Sequence, residues 1–231
     1  MPTVYLIPCV IADDAVETIP AYVVEHVKKC QVFFVENERT ARRYLKSIWK
    51  EMVIDDYKWF TIHKAEEDVK SDFITALKEG KNIGIISESG CPGIADPGQI
   101  LIQSAQEMGV QVKPLVGPSS ILLALMASGL NGQTFKFCGY LPIDKFERNK
   151  ALKSLEAESA KLRCTQIFIE TPYRNNQLLE SVLQNCSAST RLCIAADISS
   201  ANESIVTKSI AQWKKNIPTI GKVPAIFLIL A

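Results

Sequence analysis

Five short runs rich in β-branched and aromatic residues, at 3–7, 31–35, 58–62, 82–87 and 110–115, recur through the first half of the chain, each separated from the next by a segment of helical period. That alternation leaves few folds open, because strand, crossover helix and strand in succession build a parallel sheet. Each run is apolar throughout, the pattern of a strand buried on both faces. Helices are expected between them at 19–29, 38–50, 66–78 and 97–108, followed by one at 119–128. Gly80 and Gly109 stand where a left-handed residue closes a helix.

After Gly129 the rhythm changes. Residues 135–138 read as a strand, GYLP at 139–142 breaks it, and Asp144 opens a helix that reaches about 159. Further strands are expected at 165–170, 191–196, 203–207 and 223–230, with helices at 175–184 and ending near 215. Two successive strands flanking Asp197 imply a hairpin, so this second sheet is mixed. The expected fold class is α/β in two domains: residues 1–130 around a mainly parallel sheet, and 131–231 around a mixed one.

Composition narrows the function classes. Lys and Arg number 26 against 25 Asp and Glu, which excludes a protein that coats nucleic acid by bulk charge and leaves only local basic patches. Seven cysteines, an odd number with no CxxC pair, fit neither a disulfide framework nor a zinc site and point to a reducing compartment. The chain enters its first strand without a basic leader, and no apolar run approaches the roughly 20 residues of a membrane span. A soluble, cytoplasmic protein is expected. His26 and His63 are far apart and not in a ligand spacing, so no metal is expected either.

Two loops carry the chemical information. SESGCPGIADPG, residues 87–98, follows a buried strand and opens a helix; its three glycines and two prolines allow close backbone approach to a ligand at the carboxyl end of a sheet. Taken alone it is equally a tight connection with no ligand. PLVGPSSI, residues 114–121, repeats the arrangement, with Ser119 or Ser120 available to cap the helix and the other hydroxyl free. Two such loops on neighbouring strands read as one pocket wall.

Extended to SESGCPGIADPG and PLVGPSSILLALMASGL, the pair resembles the loops of the tetrapyrrole methylase superfamily, in the form used by the branch that methylates a ribose 2′-hydroxyl of small-subunit ribosomal RNA. VENERTARRYL, GYLP and IFIETPYRNNQLLESV match in the same chain order. The resemblance implies a two-domain methyltransferase holding S-adenosylmethionine in a cleft between the domains, usually as a homodimer, with RNA or a ribosomal subunit as partner and no metal. Carried over by motif, Pro8, Ser89, Gly90, Cys91, Ile94, Ser119, Ser120 and Ile121 line the cofactor site. On the second half, Ile169, Ala195, Ala196, Pro224 and Ala225 do the same.

For an alcohol acceptor a base must take a proton as the new bond forms. Glu36, Arg39, Glu170 and Arg174 are the catalytic candidates by resemblance, with Asn37, His63 and Tyr173 beside them; the competing reading is a set of ion pairs between the two segments. Arg39, Arg42, Arg43, Lys46 and Lys50 share a helix, as do Lys145, Arg148, Lys150 and Lys153, and each group is either a phosphate-contacting stripe or a solvated face. The chain departs from the branch in its first loop, where a TPIGNL-like turn is replaced by Ile7-Pro8-Cys9-Val10-Ile11-Ala12-Asp13-Asp14, without glycine. It also carries Glu88-Ser89 for Asp-Ala and Cys91 for threonine. Three readings follow: an RNA ribose methyltransferase, a methyltransferase for another acceptor, tetrapyrroles included, and a cofactor-binding protein without catalysis.

Overall fold

In the computed structural model, which describes residues 1–62 and 67–231, the segment Val32–Val35 forms strand β2 with all four side chains buried. Alternation sends them to opposite faces of the sheet. Phe33 and Val35 join Tyr5, Ile7, Val23, Val27 and Leu45 in one core; Val32 and Phe34 join Val4, Phe73, Leu77 and Leu101 in another. The strands involved are β1 (Thr3–Ile7), β2, β3 (Lys58–Thr61), β4 (Ile83–Ile86) and β5 (Gln111–Pro114), all parallel in the order β3-β2-β4-β1-β5. Helices α1 (Tyr22–Val27) and α2 (Glu38–Ile48) supply the first core, and α3 (Glu67–Lys78) and α4 (Gln99–Glu107) the second.

Two of the five strands are not buried on both faces. The order makes β3 and β5 the sheet edges, where Lys58, Gln111 and Lys113 are exposed. Within the sheet, Gly84 makes room for its neighbours, since a Cβ there would stand 2.7 Å from both Ile7 Cδ1 and the Phe33 ring. The chain leaves β1 toward β2 on one side and leaves β4 toward β5 on the other. Right-handed crossovers therefore put α1 and α4 on opposite faces and open a crevice outside the carboxyl ends of β1 and β4.

The second unit, residues 120–231, begins with α5 (Ser120–Ser128) and contains β6 (Phe135–Tyr140), α6 (Lys145–Leu162), β7 (Thr165–Ile169), α7 (Asn175–Asn185), β8 (Arg191–Ala196), β9 (Ser204–Ser209), α8 (Ile210–Lys215) and β10 (Ala225–Leu230). Its sheet runs β6-β7-β10-β8-β9, parallel between β6 and β7 and antiparallel elsewhere, so it is mixed. Asp197 and Ser199, at φ 55° and 69°, turn the β8–β9 hairpin. Leu152, Leu179 and Trp213 of α6, α7 and α8 cover one sheet face with Phe168, Ile194 and Phe227. Helix α5 packs on β8, β9 and β10, and Thr207 Oγ1 donates to the Ser128 carbonyl at 2.6 Å. The two compact units accordingly meet in sequence just before this helix, at 119/120.

Asp144 caps α6 by accepting the Glu147 N–H at 2.9 Å. One turn on, Arg148 is 1% exposed and donates to Ser181 Oγ at 3.0 Å and the Ile143 carbonyl at 2.8 Å. It fastens the chain just after GYLP to α7. The expected basic face of α6 is thereby broken, because one of its four cations points into the core.

Candidate functional site

The tip of β1 is where the informative loops of the first unit meet. Pro8 lies against Gly117 so closely that a Cβ on Gly117 would fall 2.1 Å from Pro8 Cβ and 2.4 Å from Cγ. Only glycine permits that approach. The next residue, Cys9, donates its N–H to the Gly90 carbonyl at 2.8 Å, and Cys91 Sγ donates to the Pro118 carbonyl at 3.4 Å. Gly90, Gly93 and Gly98 hold φ of 65°, 77° and 123°, conformations that a side chain disfavours. The ends of β1, β4 and β5 are thus tied into one cradle of backbone. Of the residues expected here, Pro8, Gly90 and Cys91 take part directly, Ser89 Oγ bonds the Val10 carbonyl at 3.5 Å, and Ile94 projects with 55% exposure. Ser119 is half-buried beside Pro118, and Ser120 and Ile121 are half-buried in the first turn of α5.

Three carboxylates gather at the same loops. Glu36 accepts the Glu88 N–H at 3.0 Å and so holds the start of SESG, while Thr40 Oγ1 donates to Glu88 at 3.4 Å. Asp96, half-buried, has its carboxyl pushed up to about 6 by loss of solvent and by Glu36, with the Ser87 hydroxyl pulling it down and Glu88 raising it again. Asp96 did not figure among the expected site residues. Its only signal in the sequence was a lone carboxylate between Gly93 and Gly98 in a loop leaving a buried strand.

That raised value has a stability consequence whose sign is fixed. Below pH 4 both folded and unfolded chains bind the proton; between about 4 and 6 only the folded chain keeps it, so stability falls as pH rises through that window. Asp96→Asn, which keeps a partner for Ser87 and removes the charge, should therefore be more stable than the parent by about 1 kcal/mol at pH 8, after discounting for solvent screening. Urea titrations at pH 8 and pH 4 test this. The difference should shrink to nothing at the lower pH, and an equal gain at both would exclude the charge as its cause.

Helix α2 starts on Asn37, whose side chain accepts the N–H groups of Arg39 and Thr40 at 3.1 and 3.3 Å. Its cations divide into two kinds. Arg42 pairs with Glu38 and lies 5.1 Å from the Trp59 ring centroid, and Lys46 closes the helix end on the Met52 carbonyl at 3.0 Å. Arg39 and Arg43, one turn apart, are exposed and make no ion pair among the described residues. A cavity of about 280 Å³ opens between this helix and the first loop, lined by Cys9, Val10, Asp13, Thr40, Arg43 and Tyr44 among others. Burial first, then Asp96, Glu36 and Glu88, push the Cys9 thiol up, so it stays protonated and unreactive.

In the second unit the residues expected at the site converge through antiparallel pairing. Because β10 runs against β7 and β8, Ile226 sits between Ile169 and Ala195, and Ala225 pairs with Ala196. Pro224, exposed, accepts the Asp197 N–H at 2.9 Å at that same sheet end. Glu170, 5% exposed, accepts the Thr171 N–H at 2.7 Å and Arg174 Nε and Nη2 at 3.0 and 2.6 Å. The pair expected between distant segments is thus a local one, closed within a single turn. Tyr173 is exposed with Lys222 Nζ 5.2 Å from its ring centroid, and His63 lies outside the described residues. Among the described residues no group of His, Cys, Asp or Glu could hold a metal ion, and no helix is long and apolar enough to cross a membrane.

A family model described as Tetrapyrrole (Corrin/Porphyrin) Methylases matches residues 14–213 of this chain. Ribosomal RNA small subunit methyltransferase I of Escherichia coli O157:H7 is 35% identical over 147 residues, covering 63% of this chain and 50% of the relative. The protein of the same name from Halalkalibacterium halodurans is 37% identical over 118 residues, covering 51% and 39%. The chain spans about half the length of the curated relatives it matches. Among solved structures, the methyltransferase CobJ superposes with a TM-score of 0.64 at 16% identity over 99% of this chain and 92% of that one, a likeness of fold.

Proposed function

The chain belongs to the tetrapyrrole methylase family, and on that premise we propose that it binds S-adenosylmethionine and methylates a ribose 2′-hydroxyl of small-subunit ribosomal RNA. One observation carries the reading: the ends of β1, β4 and β5 form a cradle in which Pro8 touches Gly117 and Gly90 bonds Cys9. Bare backbone at the switch point of a parallel sheet suits a ligand that must be approached closely. The proposal assigns Pro8, Ser89, Gly90, Cys91, Ile94 and Ser119 of the first unit to the cofactor. Ser120, Ile121, Ile169, Ala195, Ala196, Pro224 and Ala225 of the second unit are assigned to it on the family resemblance alone.

When bound, the cofactor supplies a methyl carbon activated by its sulfonium, open to in-line displacement by the ribose oxygen. The protein's own task is to position the acceptor and receive its proton. Asp96, with its carboxyl at about 6, is mostly ionised at neutral pH and remains basic enough to take that proton. Glu36 acts on the same centre as a positioning residue through the Glu88 N–H, and Glu170 with Arg174 fixes the turn after β7. Arg39 is free to contact RNA phosphate. The reading includes a cytoplasmic homodimer.

Three measurements on purified protein test it. Calorimetry should give saturable binding of S-adenosylmethionine, and labelled methyl should pass to ribosomal RNA in small subunits from a strain lacking the gene. Label in a small-molecule fraction but not in RNA would favour a different acceptor, and binding without transfer would favour a non-catalytic protein. Sedimentation of the same sample should give twice the chain mass.

A further inference from the structure

Pro8 and Cys9 face different neighbours at the tip of β1. Pro8 packs on Gly117 in the cradle assigned to the cofactor, while Cys9 lines the cavity between the first loop and α2. We infer that this cavity receives the single nucleotide whose ribose is methylated, with the glycine-free first loop as one wall and Arg43 at its mouth; this rests on the reading above.

Size is the first argument. At about 280 Å³ the cavity lies at the lower end of small-ligand sites, room for one unstacked nucleotide and too little for a tetrapyrrole macrocycle. Its chemistry is the second. Cys9, Val16 and Ala41 give it apolar walls on which a base can lie, and the Tyr44 hydroxyl is already committed to the Pro8 carbonyl at 2.5 Å. Polar groups collect at the rim, where Asp13 and Glu88 offer carboxylates to the amino and imino edges of a base. Arg43 is exposed there without an ion pair among the described residues, and Arg39 follows one turn away on the same helix face. That spacing suits the phosphates of a single strand whose base has been turned inward.

Position is the third argument. The cavity and the cofactor cradle share Cys9, which bonds Gly90, and the Ser87–Glu88 segment as a common wall, so an occupant lies against Glu88, whose N–H Glu36 holds. The first loop, where this chain departs from the TPIGNL-like turn, supplies Cys9, Val10 and Asp13 to the cavity, and Val16 just beyond it adds a fourth contact. Acceptor choice in this chain is therefore set by that departure.

Photo-crosslinking tests the proposal without depending on turnover. A single-stranded RNA oligomer carrying 4-thiouridine is irradiated with the full chain in the presence of S-adenosylhomocysteine, and the adducts are mapped by mass spectrometry. Adducts are expected within residues 9–16 and 40–47, and Ser47→Trp, which fills the rim from an exposed helix position, should reduce them about tenfold. Thr40→Trp serves as a second blocking variant should the first fail to fold. Adducts confined to other segments, no adducts at all, or undiminished yield in a folded blocking variant would overturn the cavity assignment while leaving cofactor binding and methyl transfer to stand. Loss of those two in the wild-type protein, measured by calorimetry and label transfer, would instead remove the functional reading beneath it.

Discussion

Gly117→Ala is expected to weaken S-adenosylmethionine binding by about tenfold or more and to destabilise the protein by about 1–3 kcal/mol, the usual range for overpacking a closed contact. The added Cβ would stand 2.1 Å from Pro8 Cβ, and a pyrrolidine ring offers no rotamer through which to retreat. Relief has to come from the backbone. Either the end of β1 moves, disturbing the Cys9–Gly90 bond, or the segment after β5 moves, disturbing the Cys91–Pro118 bond. Both displace the cradle. Gly132→Ala is the control, because a Cβ there meets nothing within 4 Å. Calorimetric titration and urea unfolding of the two variants decide the matter. If Gly117→Ala bound the cofactor as the parent does, the cradle would have no part in binding.

How far the sequence anticipates this arrangement depends on what kind of signal a residue leaves. Continuous apolar runs such as VFFV and the Gly-Pro loops at β4 and β5 are local patterns, and they give the strands and the cradle directly. Edge position is not local. Lys58 and Gln111 are exposed because of where the chain order puts β3 and β5, which no single run reveals. The same holds for Gly117, whose necessity comes from Pro8, just past a strand more than a hundred residues earlier. Asp96 is a third case: its raised proton affinity needs the distant Glu36 beside it, so a reading of its loop alone passes over it. On α2, four cations look equivalent in sequence, yet Trp59 and the Met52 carbonyl engage two of them, Arg42 and Lys46. The remaining Arg39 and Arg43 are distinguishable only once the partners of the others are known.

Glu170 and Arg174 pose the opposite problem, since the sequence marks them for chemistry and their geometry suits architecture. The Glu170 carboxylate is buried and receives three N–H groups, two of them from Arg174. Removing the arginine strands a charge that water cannot reach, so Arg174→Met should cost about 3 kcal/mol. Glu170→Gln leaves an acceptor for Thr171 and a partly exposed arginine that water can solvate, and should cost only about 1 kcal/mol. The double variant is expected near the milder single one, giving a coupling of about 3 kcal/mol in the cycle. Function separates the two roles more sharply than stability does. A positioning pair predicts that Glu170→Gln keeps kcat within about tenfold and an unaltered pH profile. A base predicts a loss of about 100-fold or more together with disappearance of the acidic limb of that profile. Steady-state methyl transfer across pH with the folded Glu170→Gln protein distinguishes them. The hydrogen bonds favour the first result, because one oxygen of this carboxylate already accepts three donors and the group is held in place by its own turn.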